Sequence, residues 1–147
     1  MEIVGEVCQT FRPHLEEKGF TFRCVLPQHP VPVKADRDAI SQVIVNLLSN
    51  AEKYSDQRKE IELELLNHSG CCEVVVRDRS SGVPRGCEEK IFEQFFRAHD
   101  SLSSGTEGSG LGLTLARQIT QAHGGTLGYQ PWNGGGSCFT MRLPMTQ

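Results

Sequence analysis

Apolar positions recur every three to four residues in some stretches of the chain and every second residue in others. Ile3, Val4, Val7, Cys8, Phe11 and Leu15 fall at helical spacing, so residues 2–18 predict an amphipathic helix ended by Gly19. Phe20 to Leu26 alternates as a strand does, and Val31 to Lys34 predicts a second, shorter strand. Asp36 stands where an N-cap belongs, ahead of a long helix running to about Tyr54. Two β-rich runs, 59–67 and 71–78, flank His68-Ser69-Gly70 and predict an antiparallel hairpin. Residues 79–86 read as loop, 88–96 as a short helix, and 99–110 as a long Ser- and Gly-rich connection. Residues 111–123 predict a helix stopped by Gly124-Gly125. Runs 126–130 and 137–143 then pair around the turn Trp132-Asn133-Gly134-Gly135-Gly136. This order is neither strictly alternating nor segregated. It predicts one domain of the α/β (α+β) class, a two-layer sandwich whose mixed, mostly antiparallel sheet is covered on one face by about three helices.

Composition narrows the function. A chain of 147 residues is long enough to bury a core, and its net charge of −3 gives no electrostatic reason to expect nucleic acid or an anionic membrane as partner. No apolar run approaches the roughly 18 residues of a membrane span, and the opening MEIVGEVCQTF lacks the profile of a secretory signal. The expectation is a cytoplasmic domain without direct membrane contact; whether a longer protein around it is anchored stays open. Cysteines at 8, 24, 71, 72, 87 and 138 form no C-x-x-C pair and read as reduced, small hydrophobes; Cys71 and Cys72 would face opposite sides of a strand.

Three stretches carry candidate chemistry. At about 100° per residue, Gln42, Asn46, Asn50 and Lys53 share a sector of roughly 80° on the long helix, opposite Ile40, Ile44, Leu47, Leu48 and Ala51. Asparagine is a poor helix former, so two of them one turn apart beside a lysine ask for a reason. Amide oxygens suit magnesium and an ammonium suits phosphate; the alternative is an ordinary polar face. Asp78 ends the run Val74-Val75-Val76-Arg77 and precedes a glycine turn, where a carboxylate could floor a pocket and accept from an exocyclic amine, or merely start the turn. Gly82 would allow close backbone approach. Finally, Gly108-Ser109-Gly110-Leu111-Gly112-Leu113 heads a helix, where free N–H groups make an anion site. It lacks the third glycine of a dinucleotide fingerprint and the Lys-Ser/Thr of a Walker loop.

In this order, these segments closely resemble the ATP-binding catalytic domain of bacterial sensor histidine kinases, a member of the Bergerat-type ATPases. The Asn box is matched by Gln42-Val-Ile-Val-Asn46-Leu-Leu-Ser-Asn50-Ala-Glu-Lys53-Tyr54-Ser55. IFEQFFR at 91–97 is similar to the phenylalanine box, GSGLGLTLARQI at 108–119 to the second glycine box, and HGG at 123–125 to a further common feature. The resemblance implies a domain that binds Mg-ATP and presents the γ-phosphate to a histidine on a separate dimerisation domain. Asn50 would hold magnesium, and Asn46, Lys53 and Arg97 would form the catalytic group. Lys53 and Arg97 would meet the phosphates, Tyr54 would border the nucleotide, and Asp78, Gly82 and Val83 would receive adenine. A lid at about 98–110 would be closed by Gly108, Ser109, Gly110, Leu111, Gly112 and Leu113. A response regulator would act downstream, and this fragment would be monomeric.

Two departures qualify the expectation. The first glycine box, usually D-x-G-x-G, reads Asp78-Arg79-Ser80-Ser81-Gly82. If residue 80 needs a positive φ, serine would cost about 1–2 kcal/mol. That opens the alternative of a degenerate nucleotide-binding or scaffold module. None of the histidines at 14, 29, 68, 99 and 123 lies in a phospho-acceptor motif, so the accepting histidine is expected on the missing domain. Gyrase- and chaperone-type members look to carry a basic glutamate where this chain has Asn46, and an amide cannot take a proton from water.

Overall fold

The computed structural model describes residues 2–55, 58–93 and 112–145. Helix α1 spans Glu2–Glu17, strand β1 Thr21–Val25 and helix α2 Arg37–Tyr54. Strands β2 (Glu60–His68) and β3 (Cys71–Asp78) form the first hairpin. Helix α3 (Gly112–Ala122) leads into the second, β4 (Thr126–Pro131) and β5 (Ser137–Pro144). Sheet order is β1-β2-β3-β5-β4, with β1 parallel to β2 and every other neighbour antiparallel. The expected two-layer architecture is therefore present.

Each element follows from its residues. Asp36 is extended and its carboxylate accepts from Ala39 N at 3.1 Å, capping α2 as expected. Ile40, Val43, Ile44, Leu47, Leu48 and Ala51 put one apolar stripe of α2 into the core. In β3 the period of two sends Cys72, Val74 and Val76 inward, against Leu63 and Leu65 of β2 and Phe139, Met141 and Leu143 of β5. Cys71 is half-buried and Cys72 buried, the opposite-face placement expected for adjacent strand residues.

Two predicted elements change. Val31–Lys34 is not a strand: Pro30 and Pro32 lack the N–H groups a ladder requires, and Val31 instead plugs the core as buried loop. The helix expected over 88–96 is a 3₁₀ turn at Lys90–Phe92, and residues 94–96 lie outside the described ones. That turn buries Ile91 and Phe92, and Phe92 meets Phe139 edge-on at 6.2 Å.

The helices are also tied by polar contacts. Glu52 of α2 takes hydrogen bonds from His14 and Lys18, both at 2.9 Å, and Glu6 of α1 pairs with Arg37. Burial pushes the Glu52 carboxyl up, but the Lys18 and His14 hydrogen bonds outweigh it and the net shift is downward. His123, past the end of α3, donates from Nδ1 to Ile119 O (2.8 Å) and accepts at Nε2 from Asp36 N (3.1 Å). The HGG segment thus clasps the end of α3 to the start of α2.

Gly125 begins the return into β4 so tightly that a Cβ there would lie 2.0 Å from Arg142 O, whereas one on Gly128 would meet nothing within 4 Å. Gly125→Ala is expected to lower unfolding free energy by about 2–3 kcal/mol. Gly128→Ala should stay within about 0.5 kcal/mol of the parent. Urea denaturation measures both.

Candidate functional site

The strand period that fills the core also places Asp78 inward, on the row Phe22–Ile61–Asp78–Ser137–Pro131 across the five strands. Its side chain is 1% exposed. Burial pushes its carboxyl above the usual carboxylate range, and hydrogen bonds from the Ser80 hydroxyl and from the N–H groups of Ser80 and Ser137 recover only part of that cost. The Ser80 N–H reaches Oδ1 at 2.9 Å. An acid so placed does not stabilise the fold by being there.

The residues after Asp78 are held as a shaped loop. Ser80 Oγ accepts from Gly82 N at 3.2 Å and lies 3.3 Å from Ser137 Oγ. Gly82 is left-handed at φ 81°, the reason glycine is needed there. Val83 N donates to the Tyr129 hydroxyl at 3.1 Å. Among the described residues only Ser69 combines a side chain with positive φ. The strain allowed for at Ser80 is therefore absent, and its hydroxyl satisfies a backbone donor of the loop.

Opposite the loop, the turn between β4 and β5 presses on it. Arg79 lies over the Trp132 ring at 3.5 Å and donates to Asn133 O (2.7 Å) and Gly135 O (2.9 Å). A Cβ on Gly136 would lie 1.9 Å from Asp78 O, so that approach requires glycine. Sequence reasoning missed Arg79, Tyr129, Trp132, Gly136 and Ser137 as supports. The strand alternation of β5 and the glycine run were the available signals.

On α2, Gln42 Nε2 donates to Asn46 Oδ1 at 2.8 Å, and Asn46 Nδ2 donates to Gly112 O at 3.2 Å. The polar stripe therefore reaches the first turn of α3. Farther along it, the half-buried Asn50 and the exposed Lys53 make no hydrogen bond or ion pair among the described residues. Tyr54 follows at the helix end, half-buried. Leu113 packs against the core, and Thr114 Oγ1 donates to Phe92 O at 2.8 Å. Arg117 caps the Phe92 ring at 4.3 Å and pairs with Glu89 at 2.9 Å. The start of α3 is thus joined to the phenylalanine-rich segment. Arg97, Gly108, Ser109, Gly110 and Leu111, and the lid expected at 98–110, lie outside the described residues.

The profile of the family described as histidine kinase-, DNA gyrase B- and HSP90-like ATPase matches residues 35–147. The adaptive-response sensory kinase SasA of Crocosphaera subtropica is 39% identical over 141 residues, which are 95% of this chain and 36% of that protein. The chain thus spans about a third of that relative. Among solved structures, the nucleotide-free catalytic domain of the histidine kinase ThkA superposes with a TM-score of 0.85 at 28% identity, covering 99% of this chain and 94% of that one. ThkA solved in complex with the response regulator protein TrrA gives 0.79 at 27% identity, covering 99% of this chain and 40% of that one.

Because burial makes the folded Asp78 hold its proton at higher pH than an unfolded aspartate, whose value is 3.8, its contribution to stability declines as pH rises from there through the raised folded value. Asp78→Asn removes this decline. The stability of the variant relative to the parent should therefore grow as pH rises above 3.8, read as a diverging pair of urea midpoints; a variant that loses ground with pH would contradict the assignment. Ser80→Gly, by contrast, deletes the acceptor of Gly82 N and should cost about 1 kcal/mol.

Proposed function

Because this chain belongs to the histidine kinase-, DNA gyrase B- and HSP90-like ATPase family, we propose that it is the ATP-binding catalytic domain of a two-component sensor histidine kinase, presenting the γ-phosphate of Mg-ATP to a histidine on a separate dimerisation domain. The observation that supports this most is the junction at Asn46, whose amide joins the polar stripe of α2 to the N-terminal turn of α3. The Lys53 ammonium and the helix N-terminus are complementary to a polyanion, and the Asn50 amide oxygen is complementary to its metal counter-ion.

The roles follow from the chemistry of each side chain. The Asp78 carboxylate accepts from the exocyclic amine of adenine, on a floor shaped by Gly82 and Val83. A buried carboxylate offers two acceptor oxygens and repels a base that presents a carbonyl in the amine's place, so adenine is preferred over guanine. Lys53, exposed and without an ion pair among the described residues, supplies charge to the phosphates, with Arg97 as its partner. Asn50 offers its amide oxygen to magnesium, a donor set suited to an ion that keeps most of its waters and leans on phosphate oxygens. The ion supplies charge neutralisation when bound. Tyr54 borders the nucleotide, and Gly108, Ser109, Gly110, Leu111, Gly112 and Leu113 bring backbone N–H groups to the phosphates as the lid of 98–110 closes.

Asn46 has its oxygen engaged by Gln42 and its nitrogen by Gly112. It orders the two helices and cannot deprotonate a water, which favours transfer to a protein side chain over hydrolysis. Ser80 has a satisfied hydroxyl and no positive φ, so it gives no reason to prefer a degenerate scaffold module. Partners are a dimerisation and phosphotransfer domain and a response regulator, as ThkA has in TrrA. The domain itself is proposed to be monomeric and cytoplasmic.

A thermal-shift titration tests this reading. Mg-ADP at about a hundred times its Kd should stabilise the native state by roughly 2.7 kcal/mol, while the same ADP without magnesium gives less. Asn50→Ala should abolish the magnesium increment. Asp78→Asn should weaken ADP while leaving tripolyphosphate binding unchanged. An unshifted melting point at millimolar Mg-ADP would sink the proposal.

A further inference from the structure

We propose that Cys8 and Cys24 form a thiol–disulfide site, oxidised by peroxides or small disulfides, that covalently ties α1 to β1. The two residues lie 16 positions apart on different elements, yet their Sγ atoms are only 2.9 Å from each other. A covalent S–S bond is about 2.04 Å long, so closure requires sulfur motion of less than about one ångström. Both are free thiols in this structure. The proposal is independent of the nucleotide reading.

Access and charge complete the site. Cys8 and Cys24 both line an open cleft of about 640 Å³, together with Gln9, Arg12 and Leu26. That is room for a peroxide or for a small disulfide. Arg12 is anchored beside them by its hydrogen bond to Phe22 O at 2.7 Å. The hydrogen bond shared with Cys8 draws the Cys24 thiol below its usual range; burial opposes this and the Arg12 charge adds to it. The same shared bond and burial push Cys8 up. Cys24 is also the more exposed of the two, half-buried where Cys8 is buried, so an oxidant in the cleft meets it first and Cys8 follows as the resolving thiol.

The chemistry balances. The Cys24 thiolate attacks one oxygen of a peroxide, the O–O bond breaks, and the departing oxygen takes a proton to leave as water or alcohol. Cys8 then attacks the sulfenic sulfur, the S–O bond breaks, and water leaves with the Cys8 proton. Two thiols and one peroxide give one disulfide, one water and one water or alcohol. With a small disulfide as oxidant, two exchanges release two small thiols. The remaining cysteines lack this arrangement: Cys72 is buried, with its thiol pushed up to about 11, and its neighbour Cys71 sits on the other face of β3. Because His14 of α1 and Lys18, just past its end, also hold Glu52, the bond would fix the helix that braces the C-terminal end of α2.

The test treats the full chain with hydrogen peroxide, and separately with oxidised glutathione, then analyses it without reductant. The expected product is a monomer lighter by about 2 Da, with the Cys8 and Cys24 peptides linked. Its melting point should be higher by roughly 5–10 °C, and reductant should reverse both changes. Cys8→Ser should leave Cys24 as a sulfenic acid or mixed disulfide, and Cys24→Ser should leave Cys8 unmodified. Peptide mapping of the unmutated chain decides the matter even if a variant folds poorly. Cys8 and Cys24 remaining alkylatable after oxidation, or linkage formed only at other cysteines or between chains, would overturn the proposal.

Discussion

A carboxylate on the core face of the central strand is the constraint around which this domain is arranged. β3 lies third of five strands, and its alternation leaves residue 78 no choice but to point where Cys72, Val74 and Val76 point. Removing an acid from water without full compensation is costly. The surroundings answer that cost locally. Ser80 and Ser137 donate to the carboxylate, Gly82 permits the turn that brings Ser80 back, and Gly136 lets the opposing turn lie against the Asp78 carbonyl. Such tolerance of an unfavourable group agrees with the proposed binding role of Asp78 and has no counterpart in packing.

The second constraint is that α2 must be a core helix and a polar helix at once. Its apolar stripe is fully enclosed, so the opposite stripe can be spent on poor helix formers without losing the element. The two bonds between α2 and α3 match in length. Asp36 to Asn46 spans about 15 Å of helix and Gly112 to His123 about 16 Å, so the antiparallel α3 is clasped to α2 at both of its own ends, by His123 at one and by Asn46, midway along α2, at the other. The start of α3 is therefore set by the helix that carries Asn50 and Lys53.

Most of the fold was legible because each element has a strong local signal: the Asp36 cap, the stripe of α2, the period of two in β2 and β3, and the HSG and WNGGG turns. The Val31 segment misled because its side-chain alternation suited a strand while its prolines removed the donors that pairing needs. The described part of the helix expected over 88–96, up to Glu93, misled because two buried residues, Ile91 and Phe92, anchor a single 3₁₀ turn as well as a helix. Around the candidate site, the strand-end place of Asp78, the polar stripe carrying Asn46 and the glycine turn at Gly82 could be read from residue type and spacing. The question at Ser80 could not, since backbone φ is fixed by the loop's contacts with Tyr129 and Ser137, residues more than 40 positions away. The Cys8–Cys24 proximity was equally hidden, because it arises from how α1 lies on an edge strand.

The stacking of Arg79 on Trp132 has an optical consequence. Trp132 is the sole tryptophan of the chain, and a guanidinium sits 3.5 Å above its indole ring. Arg79 is covalently next to Asp78, so any displacement of the loop that follows this buried acid changes the electric field at that chromophore. The domain thereby carries an intrinsic fluorophore wired to a single loop, whose emission reports the geometry around one carboxylate without any label being attached.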